Sequence, residues 1–289
     1  MTARSPGPRS IGETLAEASR RLEDARVPAP LHDAELLLAD LLAVSRTVLR
    51  VRAGEKISAQ ALARYERRVR RREQREPLQH VLGRWPFLEL DLAVDRRALV
   101  PRPETEDLVL AARRRLDRGR DSLVADVGTG GGCIALSLAR SHPRSRILGI
   151  DVSGKALELA AENLRRTGLA SRVALVRGDL LAPSFSATFD MIVANLPYVD
   201  ESELANLEPE VREFDPKIAL VAPRAGLGLV RRLVDEAARH LADRGWLLLE
   251  AAPRQTGTVA AWLSVPPWTG SFVERDRYER ERIVGARLA

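Results

Sequence analysis

"DVGTGGG" occupies residues 126–132 and is the most informative segment of this 289-residue sequence. It follows an apolar run, LVADV (123–127), that is typical of a buried strand, and it precedes a helical pattern from about Cys133 to Arg140. Glycine adopts positive φ angles easily and lets a ligand approach the backbone without meeting a Cβ atom. A glycine loop between a strand and a helix therefore predicts a ligand-binding turn at the carboxyl edge of a parallel sheet.

The alternation of strands and helices continues along the rest of the chain. Further strands are predicted at RILGIDV (146–152), VALVRGD (173–179), FDMIVAN (189–195) and WLLLEA (246–251), with helices over 154–167 and about 227–241. The final SFVERD and ERIVGARL segments have the pattern of an antiparallel pair. Strands separated by helices form parallel sheets that are covered on both faces. We therefore expect an α/β domain with a mostly parallel seven-stranded sheet and an antiparallel last pair.

The N-terminal part of the chain has a different pattern, with no convincing strand. Ser10 and Glu13 have the form of a capping box, and apolar residues recur at helical spacing after them. We expect a small all-α domain over residues 1–81, a β-hairpin linker over 82–103 and the α/β domain over 104–289.

Within the linker, FLELDLAVDRRALV (87–100) alternates apolar and polar residues and predicts two short antiparallel strands. The PRPETE segment that follows forces an extended chain at its prolines and predicts a helix beginning near Glu104.

Composition bounds the classes of function. The net charge is +6, but only three basic residues are Lys and the rest are Arg, which indicates a compositional bias more than a nucleic-acid surface. Cys133 is the only cysteine and the four histidines are widely scattered, so neither a disulfide nor a metal site is expected. No apolar run approaches the roughly 18 residues of a membrane span, and the opening MTARSPGPRS has no signal-peptide pattern. We expect a cytoplasmic protein.

Acidic residues end the two strands that follow the glycine loop. Asp151 lies 23 residues after Gly128, where a carboxylate can accept hydrogen bonds from both hydroxyls of a ribose, and Asp179 ends the next strand. The third glycine of a dinucleotide fingerprint would fall at Cys133, whereas the spacing D-x-G-x-G-x-G is typical of S-adenosylmethionine-dependent methyltransferases. A tight turn with solvated Asp residues is the alternative. We favour a nucleoside-type cofactor.

The segment NLPY follows the strand that is expected to lie beside the first. The side-chain oxygen of Asn195 and the carbonyl of Leu196 can each accept a hydrogen bond from one planar –NH₂ group. Pro197 fixes the direction of that carbonyl, and the ring of Tyr198 offers a stacking face. Such a site orients a planar nitrogen for in-line attack on a methyl group. The candidate substrates are adenine, cytosine and a glutamine side chain. An ordinary strand end, with Asn and Pro as turn formers, is the competing interpretation.

Motifs spread over nearly the whole chain resemble one family, the peptide chain release factor N(5)-glutamine methyltransferases (PrmC/HemK). They are DAELLL, PLQHVLG, LVPRPETE, DVGTGGGC, ANLPYVDESEL, EFDPKIAL, GLGLVRRLV and RERIVGARL. The resemblance implies a Rossmann-like class I methyltransferase domain behind the helical domain. It also implies methyl transfer from S-adenosyl-L-methionine to the glutamine of the Gly-Gly-Gln motif in class 1 release factors, with S-adenosyl-L-homocysteine as the product.

The resemblance also assigns residues. The cofactor would contact Gly128, Thr129, Gly130, Gly131, Gly132, Asp151, Asp179, Leu180 and Asn195. The glutamine amide would be held by Asn195, Leu196, Pro197 and Tyr198, of which Asn195, Pro197 and Tyr198 are the catalytic candidates, and Arg102 and Glu104 would shape the cleft wall.

Two positions depart from the family pattern. Leu196 stands where Pro is usual, and Gly131 stands where Ser or Thr is usual. The expected partner is a class 1 release factor, with no metal, no membrane, no direct nucleic-acid binding, and a monomeric enzyme. The alternatives are a ribosomal-protein glutamine methyltransferase and, ranked lower, a DNA or RNA adenine methyltransferase, for which a helical domain of about 80 residues is small.

The densest charge cluster is RYERRVRRREQRE (64–76), on a predicted helix beginning near Ser58. This segment is compatible with two interpretations: a face that docks an acidic partner or RNA, or a helix face that is only solvated. The solvated face is favoured.

Overall fold

The computed structural model describes residues 9–181 and 186–289 and divides the chain into two compact units. The first extends to Gly83 and also includes Glu208–Phe214, and the second contains Arg84–Leu207 and Asp215–Ala289. The first eight residues, on which the expectation of no signal peptide depends, lie outside the described part. Among the helices that the structure describes, none has the length and apolar character needed to cross a membrane.

The first unit is all-helical, as predicted. Its helices are α1 (Ile11–Asp24), α2 (Pro30–Leu42), α3 (Arg46–Val51), α4 (Ala59–Glu73), α5 (Leu78–Leu82) and α9 (Pro209–Phe214). The predicted capping box is confirmed, with the Ser10 hydroxyl accepting from the Glu13 N–H and the Glu13 carboxylate accepting from the Ser10 N–H. Tyr65 is fully buried and donates its hydroxyl hydrogen to the Ala34 carbonyl at 3.0 Å.

The Arg-rich segment on α4 is partly internal. Arg72 is buried, with its guanidinium 2.8 Å from carboxylate oxygens of both Asp33 and Glu210. Arg68 pairs with Asp40 at 2.8 Å. The expectation of a solvated face is therefore wrong at Arg72, because helical periodicity places this charged residue on the buried side of α4, where two carboxylates compensate its charge.

The second unit begins with a hairpin of β1 (Arg84–Phe87) and β2 (Leu90–Ala93), which pair in antiparallel register. The hairpin lies earlier than the predicted segment 87–100, since the chain already turns at Leu88, with a φ of 48°. Residues 94–100 contain no strand. The apolar residues that suggested strands there include Val94 and Val100, which are buried without pairing.

A seven-stranded sheet forms the centre of this unit and confirms the predicted fold class. Its strands are β3 (Ser122–Val127), β4 (Ser145–Asp151), β5 (Val173–Arg177), β6 (Phe189–Ala194), β7 (Leu241–Glu250), β8 (Trp268–Arg275) and β9 (Glu281–Leu288). Their order in the sheet is β5-β4-β3-β6-β7-β9-β8, parallel except for the β7–β9 and β9–β8 pairs. The strand order reverses between β3 and β6, so ligands are expected at the carboxyl ends of these strands.

Helices cover both faces of the sheet. They are α6 (Pro103–Arg115), α7 (Cys133–Ser141), α8 (Gly154–Thr167), α10 (Lys217–Leu220), α11 (Gly228–Ala237) and α12 (Pro253–Trp262), with a 3₁₀ helix at Glu201–Asn206. Successive strand residues alternate between two cores: Met191 and Val193 pack with α6 and α7, whereas Ile192 and Ala194 pack with α11 and α12. This is the period of two that a strand imposes on its side chains.

Candidate active site

A cavity of about 440 Å³ lies at the carboxyl edge of the sheet, above β3, β4 and β6. The predicted residues that line it are Gly128, Thr129, Gly130, Gly131, Asp151, Asp179, Leu180, Asn195, Leu196, Pro197 and Arg102. Gly132, Tyr198 and Glu104 are not part of this lining. The volume falls within the range of small-molecule and cofactor sites. The described side chains include no group of His, Cys, Asp or Glu arranged to hold a metal ion.

The glycine loop takes its shape from the backbone and from Asp126. Gly128, Gly130 and Gly132 have φ angles of 75°, 55° and 87°, in the left-handed region that favours glycine. The Asp126 carboxylate is fully buried and accepts hydrogen bonds from the Thr129 hydroxyl at 2.6 Å and from the Ala135 N–H at 3.0 Å. Burial raises the pKa of Asp126 to about 7, against the opposing effect of these two bonds. Asp126 therefore fixes the loop and the first turn of α7.

Leu196 packs directly over this loop. A Cβ atom added at Gly128 would lie 3.0 Å from Leu196 Cδ2, and Leu196 is only 4% exposed. At Gly131, an added Cβ would lie 3.4 Å from Leu159 Cδ2, an ordinary contact distance. The two departures from the family pattern thus differ: the Gly131 site has room for a small side chain, whereas the Leu196 side chain is part of the packing.

Asp151 is held by the backbone on the cavity wall. Its two carboxylate oxygens accept from the N–H groups of Gly130 and Ser153, both at 2.8 Å. Asp179 pairs with Arg232 at 3.0 Å, and both residues line the cavity. No sequence pattern indicated Arg232 as the partner of this carboxylate.

Asn195 is oriented by two buried groups. Its Nδ2 donates to the Thr105 hydroxyl at 2.9 Å, and that hydroxyl donates to Glu250 Oε2 at 2.8 Å. Burial raises the pKa of the Glu250 carboxyl to about 7, although the Thr105 hydrogen bond opposes this rise. Asn195 directly follows β6, Thr105 lies on α6 and Glu250 ends β7, so three elements contribute to this hydrogen-bonded series.

Curated relatives match nearly the whole chain. A release factor glutamine methyltransferase from Deinococcus radiodurans is 44% identical over 96% of this chain and 99% of its own length. One from Geobacter sulfurreducens is 36% identical over 94% of this chain and 92% of its own. The chain belongs to the release factor glutamine methyltransferase family.

Two domain families match within this member of the release factor glutamine methyltransferases. Residues 13–83 match the PrmC N-terminal domain, and residues 124–214 match a methyltransferase domain. Among solved structures, a methyltransferase from Pyrococcus furiosus aligns with a TM-score of 0.52 at 17% identity, covering 69% of this chain and 89% of that one. This likeness shows the α/β methyltransferase fold and confirms the fold expected from the sequence.

Tyr198, the last residue of the NLPY segment, is fixed mainly through its backbone. Its carbonyl accepts from Gln255 Nε2 at 3.0 Å, and a Cβ atom at Gly226 would lie only 1.9 Å from that carbonyl oxygen. The ring lies 5.9 Å from the Arg282 guanidinium, and burial raises the pKa of the phenol. The stacking role predicted for this ring stays a prediction, since the ring lies outside the lining of the cavity.

The two cleft-wall candidates of this release factor glutamine methyltransferase have separate partners. Arg102 lines the cavity and pairs with the buried Asp215 at 2.8 Å. Burial raises the pKa of Asp215 to about 6, and the Arg102 charge opposes that rise. Glu104 pairs with Arg280 at 2.5 Å. Thus Asp215, in the EFDPKIAL motif, supports the cavity wall, a role that no sequence pattern indicated.

Four further residues of the site were not predicted from the sequence pattern: Thr105, Glu250, Gln255 and Arg232. PRPETE contains Thr105, and WLLLEA ends just after Glu250, so both lie in segments that had been singled out. An acidic residue at the end of an otherwise apolar strand was the available signal for Glu250, because a buried carboxylate needs a specific partner.

Proposed function

We propose that this chain transfers a methyl group from S-adenosyl-L-methionine to the side-chain amide nitrogen of the glutamine in the Gly-Gly-Gln motif of class 1 release factors. The observation that carries the proposal is the placement of Asn195 and Leu196 beside the glycine loop in one cavity. Membership in the release factor glutamine methyltransferase family supports a glutamine over a nucleic-acid base as the acceptor.

The chemistry of the cavity fits the proposed cofactor. At Gly130 an added Cβ would meet no atom nearer than 3.9 Å, which leaves space beside the backbone for the methionine portion, and Asp151 offers carboxylate lone pairs toward ribose hydroxyls. Val152 and Leu180 add apolar surface suited to a purine ring. In this proposal the remaining contacts are made by Thr129, Gly131, Gly132, Asp179 and Asn195.

The substrate amide would be held by groups that accept its two N–H bonds. Asn195 Oδ1 takes one, and the Leu196 carbonyl takes the other, with Pro197 fixing the chain after it. Tyr198 would bound the planar amide from the side. Because an amide nitrogen is a weak nucleophile, alignment of its lone pair with the methyl carbon supplies much of the catalysis, on the order of 7–11 kcal/mol in favourable cases.

When bound, S-adenosyl-L-methionine supplies an electrophilic methyl group on a sulfonium. Asn195 and Leu196 would direct the glutamine nitrogen at that methyl carbon. As the nitrogen–carbon bond formed, the carbon–sulfur bond would break with its electron pair remaining on sulfur, and the nitrogen would then lose one proton to solvent. S-adenosyl-L-homocysteine and N5-methylglutamine result. No step requires a general base before transfer, because the proton leaves a nitrogen that has already become cationic.

The test supplies methyl-labelled S-adenosyl-L-methionine together with one of four acceptors. These are a class 1 release factor, the same factor with its motif Gln changed to Ala, ribosomal proteins and DNA. We expect label only on the unchanged release factor. Label on DNA, on ribosomal protein, or on the Gln variant would overturn the proposal. Light scattering of the purified chain tests the expectation that it is a monomer. The proposed location is the cytoplasm, where translation termination occurs.

A further inference from the structure

Three polar groups from three elements form a hydrogen-bonded series that ends at the cavity. Asn195 follows β6, Thr105 lies in the first turn of α6, and Glu250 ends β7. Thr105 is 3% exposed and Glu250 is 2% exposed, so solvent hardly competes for their hydrogen bonds. The distances along the series are 2.9 Å from Asn195 Nδ2 to Thr105 Oγ1 and 2.8 Å from Thr105 Oγ1 to Glu250 Oε2.

The chemistry of these groups gives the series one direction. An ionised carboxylate only accepts hydrogen bonds, and a Thr hydroxyl has a single hydrogen to donate. The Thr105 hydrogen therefore points to Glu250, which leaves only oxygen lone pairs for Asn195. Asn195 must then turn its –NH₂ group toward Thr105, and its Oδ1 is left for the cavity that Asn195 lines.

We propose that Thr105 and Glu250 are positioning residues that hold the Asn195 amide with its oxygen, not its –NH₂ group, toward the glutamine substrate. The inference rests on the proposed function, in which the substrate presents an –NH₂ group. If the Asn195 amide were turned over, two –NH₂ groups would face each other and neither could accept. The series thus makes the acceptor orientation the stable one before substrate arrives, which is preorganisation of a binding group.

The proton on Glu250 controls this direction. Above pH 7 the carboxylate can only accept, whereas a protonated Glu250 can donate to Thr105 and allow the whole series to reverse. The pKa of about 7 results mainly from burial. The charged and titratable groups around the carboxyl are Arg282 and Arg102, which lower its pKa, Glu104, which raises it, and Tyr198 and Cys133, whose own pKa values its charge raises.

The kinetic test compares Thr105→Val with Thr105→Ser at saturating cofactor and release factor. Val keeps the shape but removes the hydroxyl, so we expect kcat to fall about tenfold, the effect of one hydrogen bond, with cofactor affinity unchanged. Ser keeps the hydroxyl and should recover most of kcat. The side-chain amide in the Glu250→Gln variant can either donate or accept a hydrogen bond at any pH. Its kcat should therefore be lower than that of the wild type and independent of pH between pH 6 and 8. The wild-type kcat should rise through about pH 7.

A second measurement does not depend on methyl transfer. In protein labelled with ¹⁵N at asparagine, the Asn195 side-chain –NH₂ signal, assigned by its loss in Asn195→Ala, should shift with pH around 7. The shift should be absent in Glu250→Gln and in Thr105→Val.

Equal kcat for the Val and Ser variants, or an Asn195 signal that ignores pH in the wild type, would overturn the positioning role. A titrating Asn195 signal in an enzyme that labels no release factor would support the positioning role and overturn the proposed function.

Discussion

Burial of the Glu250 carboxyl predicts a measurable dependence of stability on pH. Its pKa rises from an ordinary value of 4.5 to about 7 in the folded chain. Between these two values the folded state binds more protons than the unfolded state, so the free energy of unfolding falls as pH rises. The contribution is present below about pH 4.5 and lost above about pH 7. Each pKa unit corresponds to about 1.4 kcal/mol, so the expected loss is about 3 kcal/mol.

Replacement of Glu250 by Gln isolates this contribution from those of Asp126 and Asp215, whose pKa values burial also raises. The difference in unfolding free energy, wild type minus Glu250→Gln, should decrease by about 3 kcal/mol between pH 5 and pH 8. Urea titration followed by tryptophan fluorescence measures it, because all four tryptophans lie in the second unit and report its unfolding alone.

Glu89 provides the control. Its side chain is 56% exposed and the neighbouring Arg113 lowers its pKa, so its titration lies below this range. Glu89→Gln should therefore show no pH-dependent difference from wild type between pH 5 and 8. A difference for Glu250→Gln that stays constant across this range would refute the reasoning, because it would mean that the carboxyl titrates normally in the folded chain.

Five other substitutions give distinct expected outcomes. Asn195→Ala should abolish labelling of release factor while calorimetry still detects cofactor binding. Retained methyl transfer would contradict the proposed hydrogen bonding of the substrate amide by Asn195. Leu196→Pro keeps the backbone carbonyl, so its kcat should stay within a few-fold of wild type, while the lost packing of this buried side chain lowers stability by about 2 kcal/mol in urea titrations. Gly226→Ala should destabilise by more than about 2 kcal/mol, since its Cβ would lie 1.9 Å from a carbonyl oxygen at a φ of 78°. Gly257 is an exposed position of α12 with nothing within 4 Å of an added Cβ, so Gly257→Ala should stabilise by up to about 1 kcal/mol in the same assay. Arg72→Ala leaves the buried Asp33 carboxylate without its guanidinium partner, whereas Glu210 keeps its pair with Arg75. The change should lower the stability of the helical unit by about 3–5 kcal/mol, measured by circular dichroism, and an unchanged melting curve would refute the structural role of this arginine.

The burial of Arg72 also changes how a docking role for the Arg-rich helix must be tested. Charge reversal at Arg68 or Arg72 would disturb the fold of the helical unit, because their guanidinium groups lie 2.8 Å from the carboxylates of Asp40 and Asp33. Arg64 and Arg70 are exposed and suit the test better. If their reversal to Glu leaves release-factor affinity at low salt unchanged, this face of α4 does not dock the partner.

The sequence by itself determined the order of strands and helices in the second unit. The 2-residue and 3.6-residue periodicities are local properties, so β3 through β6 were predicted within two residues of their observed ends. The glycine loop, Asp151 and Asn195 were found for the same reason, since each follows directly from a strand end. Where the local pattern was ambiguous, prediction failed: the hairpin was placed too late because alternation continues past Ala93 without a pairing partner.

Tertiary structure alone decided which distant groups meet. Thr105 and Glu250 are separated by 145 residues, yet one hydrogen bond joins them, and this bond orients Asn195. Arg72 and Glu210 are separated by 138 residues and form a pair that brings α9 into the helical unit. Local sequence periodicity does not indicate such partners. A buried charge requires only that some complementary group lie near it, and the packing of the whole chain determines which group that is.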